Sequence, residues 1–403
     1  MADRLAQAPF RRTTLVWTLY LLLGLFSFTI SLLGPAIPYL RLEFHLDYTM
    51  AAMHMSMFAV GMVAGGLGSP RLLERLGPVA GLWGGMAGAL AGMVLLVLAP
   101  TAWLTLAAIL FMSLFATVAL ASIQASLGAL FPFHRGKAFM EANVVASLGS
   151  AAAPFLIVLG AMTVLGWRII APAFAVALGG VALFGWPATR HHGRSAAANA
   201  PDAPGPLPPA YWVCWVLTLF CVAVEWCLGF WTAEYLKGLP GRSLSLAAAG
   251  AGVFQVAAVA ARLISSRLAG RISETRVMAG AMALVAAGFP LFWLRAGIPS
   301  AFLGVALCGM GAAAFYPLAL SQGVAASGQR VRQASSYAPI ASGLALALAP
   351  LGLGRLADHI GLRGALLAIP LGLGVMGLLL GIRIRLARRR QRAPGAAPGP
   401  GRR

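Results

Sequence analysis

Between Thr189 and Pro208 the chain reads TRHHGRSAAANAPDAPGPLP. The stretch is polar, built of small residues and rich in proline, with no apolar period, as in a linker. On either side of it the sequence changes character. Gly, Pro and charge divide the flanks into long apolar runs. Six precede the linker: 13–38, 48–68, 78–98, 102–131, 137–161 and 167–188. Six follow it: 209–234, 244–268, 276–295, 299–325, 333–355 and 363–384. Each is about the 20 residues that a spanning helix needs. A chain in hydrocarbon must satisfy its own backbone hydrogen bonds, which helices do within one segment. Barrel strands would be about half as long and would alternate in polarity. The expected fold is an all-α polytopic membrane protein with twelve spans in two six-helix bundles. Residues 1–188 form the first bundle, 189–208 the linker, 209–385 the second bundle and 386–403 a basic tail.

Composition agrees. Of 403 residues 60% are apolar and only 10% are charged. Soluble domains run at about 45–50% and about 25%. A soluble enzyme, a disordered chain and a secreted disulfide scaffold are excluded. The four cysteines, Cys214, Cys221, Cys227 and Cys308, lie in apolar stretches with no zinc or disulfide spacing. The first run, behind Arg4, Arg11 and Arg12, is too long for a signal peptide and reads as a retained helix. The formal net charge is +20. The basic residues gather in short loops and in a tail that holds Arg383, Arg385, Arg388, Arg389, Arg390, Arg392, Arg402 and Arg403. Such a tail beside a membrane helix addresses anionic lipid headgroups, not nucleic acid.

The halves repeat. Ser69 to Leu76 reads SPRLLERL, and 196 residues later Ser265 to Ile272 reads SSRLAGRI. Pro154 and Pro350 share the offset. Two parallel halves about an axis along the membrane normal are implied. Alternate loops share a side, and the side of the termini carries 23 basic residues against 7. Basic loops stay in the cytoplasm. The chain is thus expected to be a multi-pass protein of the cell membrane with both termini cytoplasmic.

At this point the chain resembles the major facilitator superfamily of secondary transporters, over roughly residues 13–384. The 6+6 arrangement carries the resemblance, together with the loop after the second run. The family pattern there is G-x-x-x-D-[RK]-x-G-x-[RK]. This chain has Pro70 for the first glycine, then Glu74, Arg75 and Gly77, and Val79 where a base is usual. The repeat keeps Arg271 and Arg276 but has Gly270 in place of the acid. The run from His134 through Pro154 to Arg168 also looks like the family. The resemblance implies a conformational latch made by Arg71, Glu74, Arg75, Gly77 and Arg271. Physically, an acid between bases at a helix end can pair with them and with helix N–H groups, and release in a second state. A cleaner G-x-x-x-D string, Gly354 to Asp358, falls between the last two runs, on the other side, and reads as family texture. The fourth run has no charge and the fifth has Ala153-Pro154, unlike drug–proton exporters of the family.

Charge inside a membrane is costly and marks function. Nine of the ten acids lie in tails, loops or helix ends. Glu225, in the seventh run, is the exception and is the candidate site for a proton or a polar solute group. Trp226 beside it is a candidate solute contact, whereas Trp212 and Trp231 read as interfacial belt residues. Gln124, Asn143, Gln255 and Tyr316 are uncharged polar candidates that compete with a role as interhelical hydrogen-bond partners. Arg262, one turn inside the eighth run, is expected to snorkel and to sit at a different depth from Glu225, so no resting pair is expected. Met50, Met53, His54, Met55 and Met57 would suit a soft metal but read as packing. No nucleophile–base pair, phosphate loop, metal motif or cofactor motif is present, so neither an enzyme nor a cofactor is expected.

The function expected is secondary active transport of a small solute by alternating access, with Glu225 as proton or solute site. A small polar solute is the first choice, since the seventh run, with Glu-Trp-Cys-x-x-Phe-Trp, looks like sugar and fucose permeases. The alternatives are a drug or metabolite efflux pump of the same superfamily and a non-transporting scaffold or receptor of transporter fold.

Overall fold

The structure, a computed structural model, describes residues 11–131, 135–190, 206–239, 243–268, 272–328 and 330–392. Among the described residues, twelve helical spans are long and apolar enough to cross a membrane. Spans 1 to 6 are Thr14–Phe44, Tyr48–Leu76, Pro78–Leu98, Ala102–Leu130, Ala138–Gly160 and Gly166–Thr189. Spans 7 to 12 are Pro209–Lys237, Leu244–Ile264, Glu274–Leu294, Ile298–Ala326, Ile340–Ala365 and Ala368–Leu386. The linker residues 191–205 lie outside the described residues. With twelve spans, the two ends of the chain share one face of the bundle, here the terminal end. The opposite face is the distal end.

Local chemistry sets the boundaries. Asp47 caps span 2, its carboxylate accepting from Met50 N at 2.6 Å, and Thr101 caps span 4 through Leu104 N. Gly77 ends span 2 at φ +84°, a conformation that side chains disfavour, and Pro78 opens span 3 at the first helical position, where its missing N–H costs nothing. Several helices overrun their apolar windows, the last of them running to Arg392. Span 1 reaches Phe44, span 2 reaches Leu76 and span 11 reaches Ala365 across a kink at Gly361. The Gly354–Asp358 string is therefore helix, not the loop expected from hydropathy.

Two spans are locally irregular at mid-length, at Leu32 and at Ala313–Ala314, while their backbone stays right-handed helical. Span 1 consists of Thr14–Ser31 and Leu33–Phe44. Span 10 consists of Ile298–Ala312 and Phe315–Ala326, with Pro317 in the second piece. Such irregularities at this depth are tolerated where the backbone is buried in protein or lines a cavity.

Span 3 packs on span 4 through small residues. A Cβ added at Gly92 would lie 2.6 Å from Met112 Cα, and one at Gly85 2.7 Å from Ala119 N. Gly61 and Gly65 bring span 2 equally close to span 4, but Gly84 faces nothing within 4 Å. Among the described residues the halves meet where span 2 packs on span 11, span 5 on span 8, and span 1 on spans 7 and 8.

Candidate functional site

Glu225 lies 12 residues before the distal end of span 7, about 18 Å at 1.5 Å per residue. Ser147 lies 13 residues before Gly160 at the distal end of span 5, about 20 Å. The two are thus level, near the middle of a core about 30 Å thick. Arg262 lies 18 residues past Leu244, about 27 Å from the distal end of span 8.

By Cα depth Arg262 and Glu225 should miss one another, and the expectation of no resting pair is wrong. Arg262 Nη2 lies 3.4 Å from Glu225 Oε1. Helical side chains lean toward their own N-terminus. Span 7 starts at the terminal end and span 8 at the distal end, so Glu225 leans toward the terminal end and Arg262 toward the distal end. The two side chains close the offset of about 9 Å between them. Arg262 therefore reaches inward and does not snorkel. Its Nη1 donates to Ser147 Oγ at 2.9 Å, across the seam between halves. Ser147 in turn donates to the Asn143 carbonyl at 2.8 Å. The Glu225 side chain is 16% exposed and that of Arg262 39%.

Around this chain, Tyr316 bonds to Ser342 and lies close enough to Glu225 to feel its charge. Tyr316 sits just after the irregularity in span 10. Cys221, one turn before Glu225, also feels the carboxylate. Gln255 Nε2 reaches Ser31 Oγ at 3.5 Å, at the irregularity in span 1 and again between halves. Asn143 is exposed, with its amide donating to Phe139 O, and it joins the chain through its backbone. Trp226 is half-buried and packs on the apolar core. Gln124 is exposed and bonds to no described residue.

The implied latch residues lie apart, at the terminal end. Arg71 and Glu74 are exposed and make no ion pair among the described residues. Arg75 is exposed, Gly77 terminates the helix through its N–H to Leu73 O at 2.9 Å, and Arg271 lies outside the described residues.

Another set of interhalf contacts lies at the distal end. Asp358 of span 11 accepts from the backbone N–H groups of Tyr48, at 2.8 Å, and Thr49, at 2.9 Å, and from the Thr49 hydroxyl. It thereby caps span 2 of the other half. A Cβ at Gly354 would lie 2.6 Å from Tyr48 O, so the glycine sets the approach and the acid one turn on makes the bonds. The string read as texture is an interhalf contact. Beside it, Arg41 pairs with buried Glu234, which also meets Lys237 Nζ at 2.7 Å. The Arg41 guanidinium lies 3.7 Å from the Tyr48 ring centroid, and Tyr48 meets Trp231 edge-on. Trp231 is fully buried here and is not a belt residue.

Sequence reasoning missed Ser147, Asp358 and Gln322. Ser147 follows Asn143 by one helical turn, a signal that was available. Gln322 is fully buried with no partner for either amide atom among the described residues, which its sequence context does not announce. His54 is buried and bonds through Nδ1 to Met50 O and through Nε2 to Thr105 Oγ1, as a packed side chain would.

Two six-helix halves thus meet beside a mid-depth charge pair. The model of the Major Facilitator Superfamily matches residues 19–350. The chain belongs to that superfamily. It is a multi-pass membrane protein of a transporter family. No curated protein matches the chain. Among solved superfamily structures it is similar to a bacterial homolog of the human lysosomal transporter Spinster, in an inward-facing, occupied conformation. There the TM-score is 0.73 at 14% identity, covering 94% of this chain and 98% of that one. A D-xylose–proton symporter gives 0.68 at 13% identity, covering 91% and 96%. The transporter FucP in an outward conformation gives 0.59 at 18% identity, covering 91% and 98%. At these identities the likeness is one of fold.

Proposed function

We propose that this chain is a secondary carrier that moves a small polar solute by alternating access, with Glu225 binding the coupled proton. The chain of contacts Glu225–Arg262–Ser147 carries the reading. It holds an acid and a base at mid-membrane, where charge is costly, and it ties one half to the other. Rocking of the halves would break the Arg262–Ser147 bond and re-expose the pair on the opposite side.

The distal end is read as the outer face, from the excess of basic residues at the terminal end. Both termini are then cytoplasmic, with the basic loops and tail on anionic headgroups, and the described state is closed to the outside by Asp358 and Glu234. Arg71, Glu74, Arg75, Gly77 and Arg271 would latch the cytoplasmic end in the opposite state, which fits the exposure of Arg71 and Glu74 in this one. Gln255, Trp226, Tyr316, Asn143 and Gln124 are the candidate solute contacts. No cofactor or metal enters the mechanism. D-xylose is named as the cargo of one similar structure, and it supports a polar solute here by analogy of fold alone.

The test is purified protein in liposomes with a trapped pH dye, challenged with pooled sugars, organic acids, amino acids and cationic drugs. A solute-dependent proton flux in the wild type that is lost in Glu225→Gln is expected. Flux that survives in Glu225→Gln would remove the carboxylate from the coupling.

A further inference from the structure

The reading above leaves the solute's charge open, and the charge balance of the site narrows it. We propose that the solute is an organic monocarboxylate received by the Arg262 guanidinium, and that it crosses together with one proton held on Glu225. The inference rests on the carrier reading and adds the solute class to it.

A guanidinium carries five N–H donors in a planar fork. At Arg262 one nitrogen serves Ser147 and one serves Glu225, and among the described residues its other donors have no partner. The side chain is 39% exposed, so a solute can reach it. The contact to Glu225 is a single one at 3.4 Å, longer than the 2.7–2.9 Å or so of a charge-assisted bond. A carboxylate that takes the fork with both oxygens would bind better than Glu225 does and would displace it.

Net charge then fixes the proton. The empty site holds one acid and one base and is neutral. A bound monoanion makes it −1, and burying net charge at mid-membrane is costly. The titratable groups facing Glu225 are Arg262 from span 8, Tyr316 from span 10 and Cys221 from its own helix. Among the described residues none but Arg262 brings a positive charge to Glu225. One proton on the displaced Glu225 carboxylate restores neutrality, so the empty and loaded sites can both reorient without net charge. A dianion leaves −1, a cation is repelled by Arg262, and a neutral solute leaves the pair intact with no call for a proton.

The experiment uses the full chain in liposomes with a trapped pH dye. The probes are gluconate, N-acetylglycinate and hippurate. Their uncharged counterparts are sorbitol, N-acetylglycinamide and hippuramide. Choline and glucosamine serve as cations and nitrate as an inorganic monoanion. Expected is lumen acidification with at least one carboxylate, unaltered when valinomycin and potassium clamp the potential, and at least a tenfold loss of apparent affinity in Arg262→Gln. Should that variant not fold, Ser147→Ala keeps both charges and is expected to lose affinity several-fold. Acidification driven by amides, sugars, cations or nitrate while all three carboxylates are silent would overturn the solute class and leave the carrier. A carboxylate flux that carries net current would overturn the charge balance. Silence of every probe with folded protein would overturn the carrier reading beneath it.

Discussion

Arg262 of span 8 meets Glu225 of span 7 at 3.4 Å although their backbones differ in depth by about 9 Å. The pair exists because antiparallel neighbours lean their side chains toward one another. It gives the mid-membrane acid a partner that also touches the opposite half through Ser147.

The first consequence is energetic coupling. Glu225→Gln leaves a guanidinium unpaired, and Arg262→Gln leaves a carboxylate unpaired, so each single change should destabilise the protein. The double variant should recover part of the loss. Coupling energies within such contacts run at roughly 0.5–3 kcal/mol, and the partial exposure of Arg262 favours the lower part of that range. Thermal unfolding of the four proteins in detergent measures the cycle, and strict additivity would deny the contact.

A second prediction concerns the distal interhalf contacts. Asp358→Ala removes the carboxylate that caps span 2, and losing such a cap costs about 0.5–2 kcal/mol. Because Asp358 caps a helix of the other half, the cost falls on the closed state only. The open population should rise, about tenfold for each 1.4 kcal/mol. Spin labels at Leu42 and Ile360, both exposed at the distal end, would report a longer distance component in the variant. An unchanged distribution would show that the cap does not hold the halves together.

Much of this fold was legible in the sequence and the site only partly so. Apolar runs gave the twelve spans and the linker gave the division, because length and hydropathy are what a bilayer imposes. Glu225 stood out because acids are rare at that depth. Arg262 was placed by its Cα alone, which ignores the lean and reach of a long side chain. Asp358 was visible as a G-x-x-x-D string but was assigned to a loop, since its polar neighbours ended the apolar window ten residues before the helix ends. Trp231 reads as a belt residue in the sequence because burial between halves leaves no mark on a single helix.

The glycines of span 3 separate packing from composition. Gly92→Val would drive a side chain into Met112 and should destabilise by about 1–3 kcal/mol, as overpacking does. Gly84→Ala points into open space and should stay within about 0.5 kcal/mol of wild type. Thermal unfolding in one detergent compares the two. Equal effects would contradict the described seam between spans 3 and 4.

Gly354→Val tests the same close approach at the interhalf seam. Its Cβ would meet Tyr48 O at 2.6 Å, so span 11 must move from span 2. The variant should fold, since the clash lies between halves, but should disfavour the state closed at the distal end. Labelling of a cysteine placed at Ala52, buried at this seam, by an impermeant thiol reagent would rise, and labelling at the rate seen without Gly354→Val would contradict the packing.

Coupling through Glu225 is tested most directly by measuring two modes of transport in one variant. For whichever solute drives proton flux in the wild type, Glu225→Gln should abolish accumulation driven by a pH gradient while solute-for-solute exchange at equal pH continues. That split assigns the proton to Glu225 and leaves the halves free to reorient. Gradient-driven accumulation at the wild-type level in Glu225→Gln would contradict it.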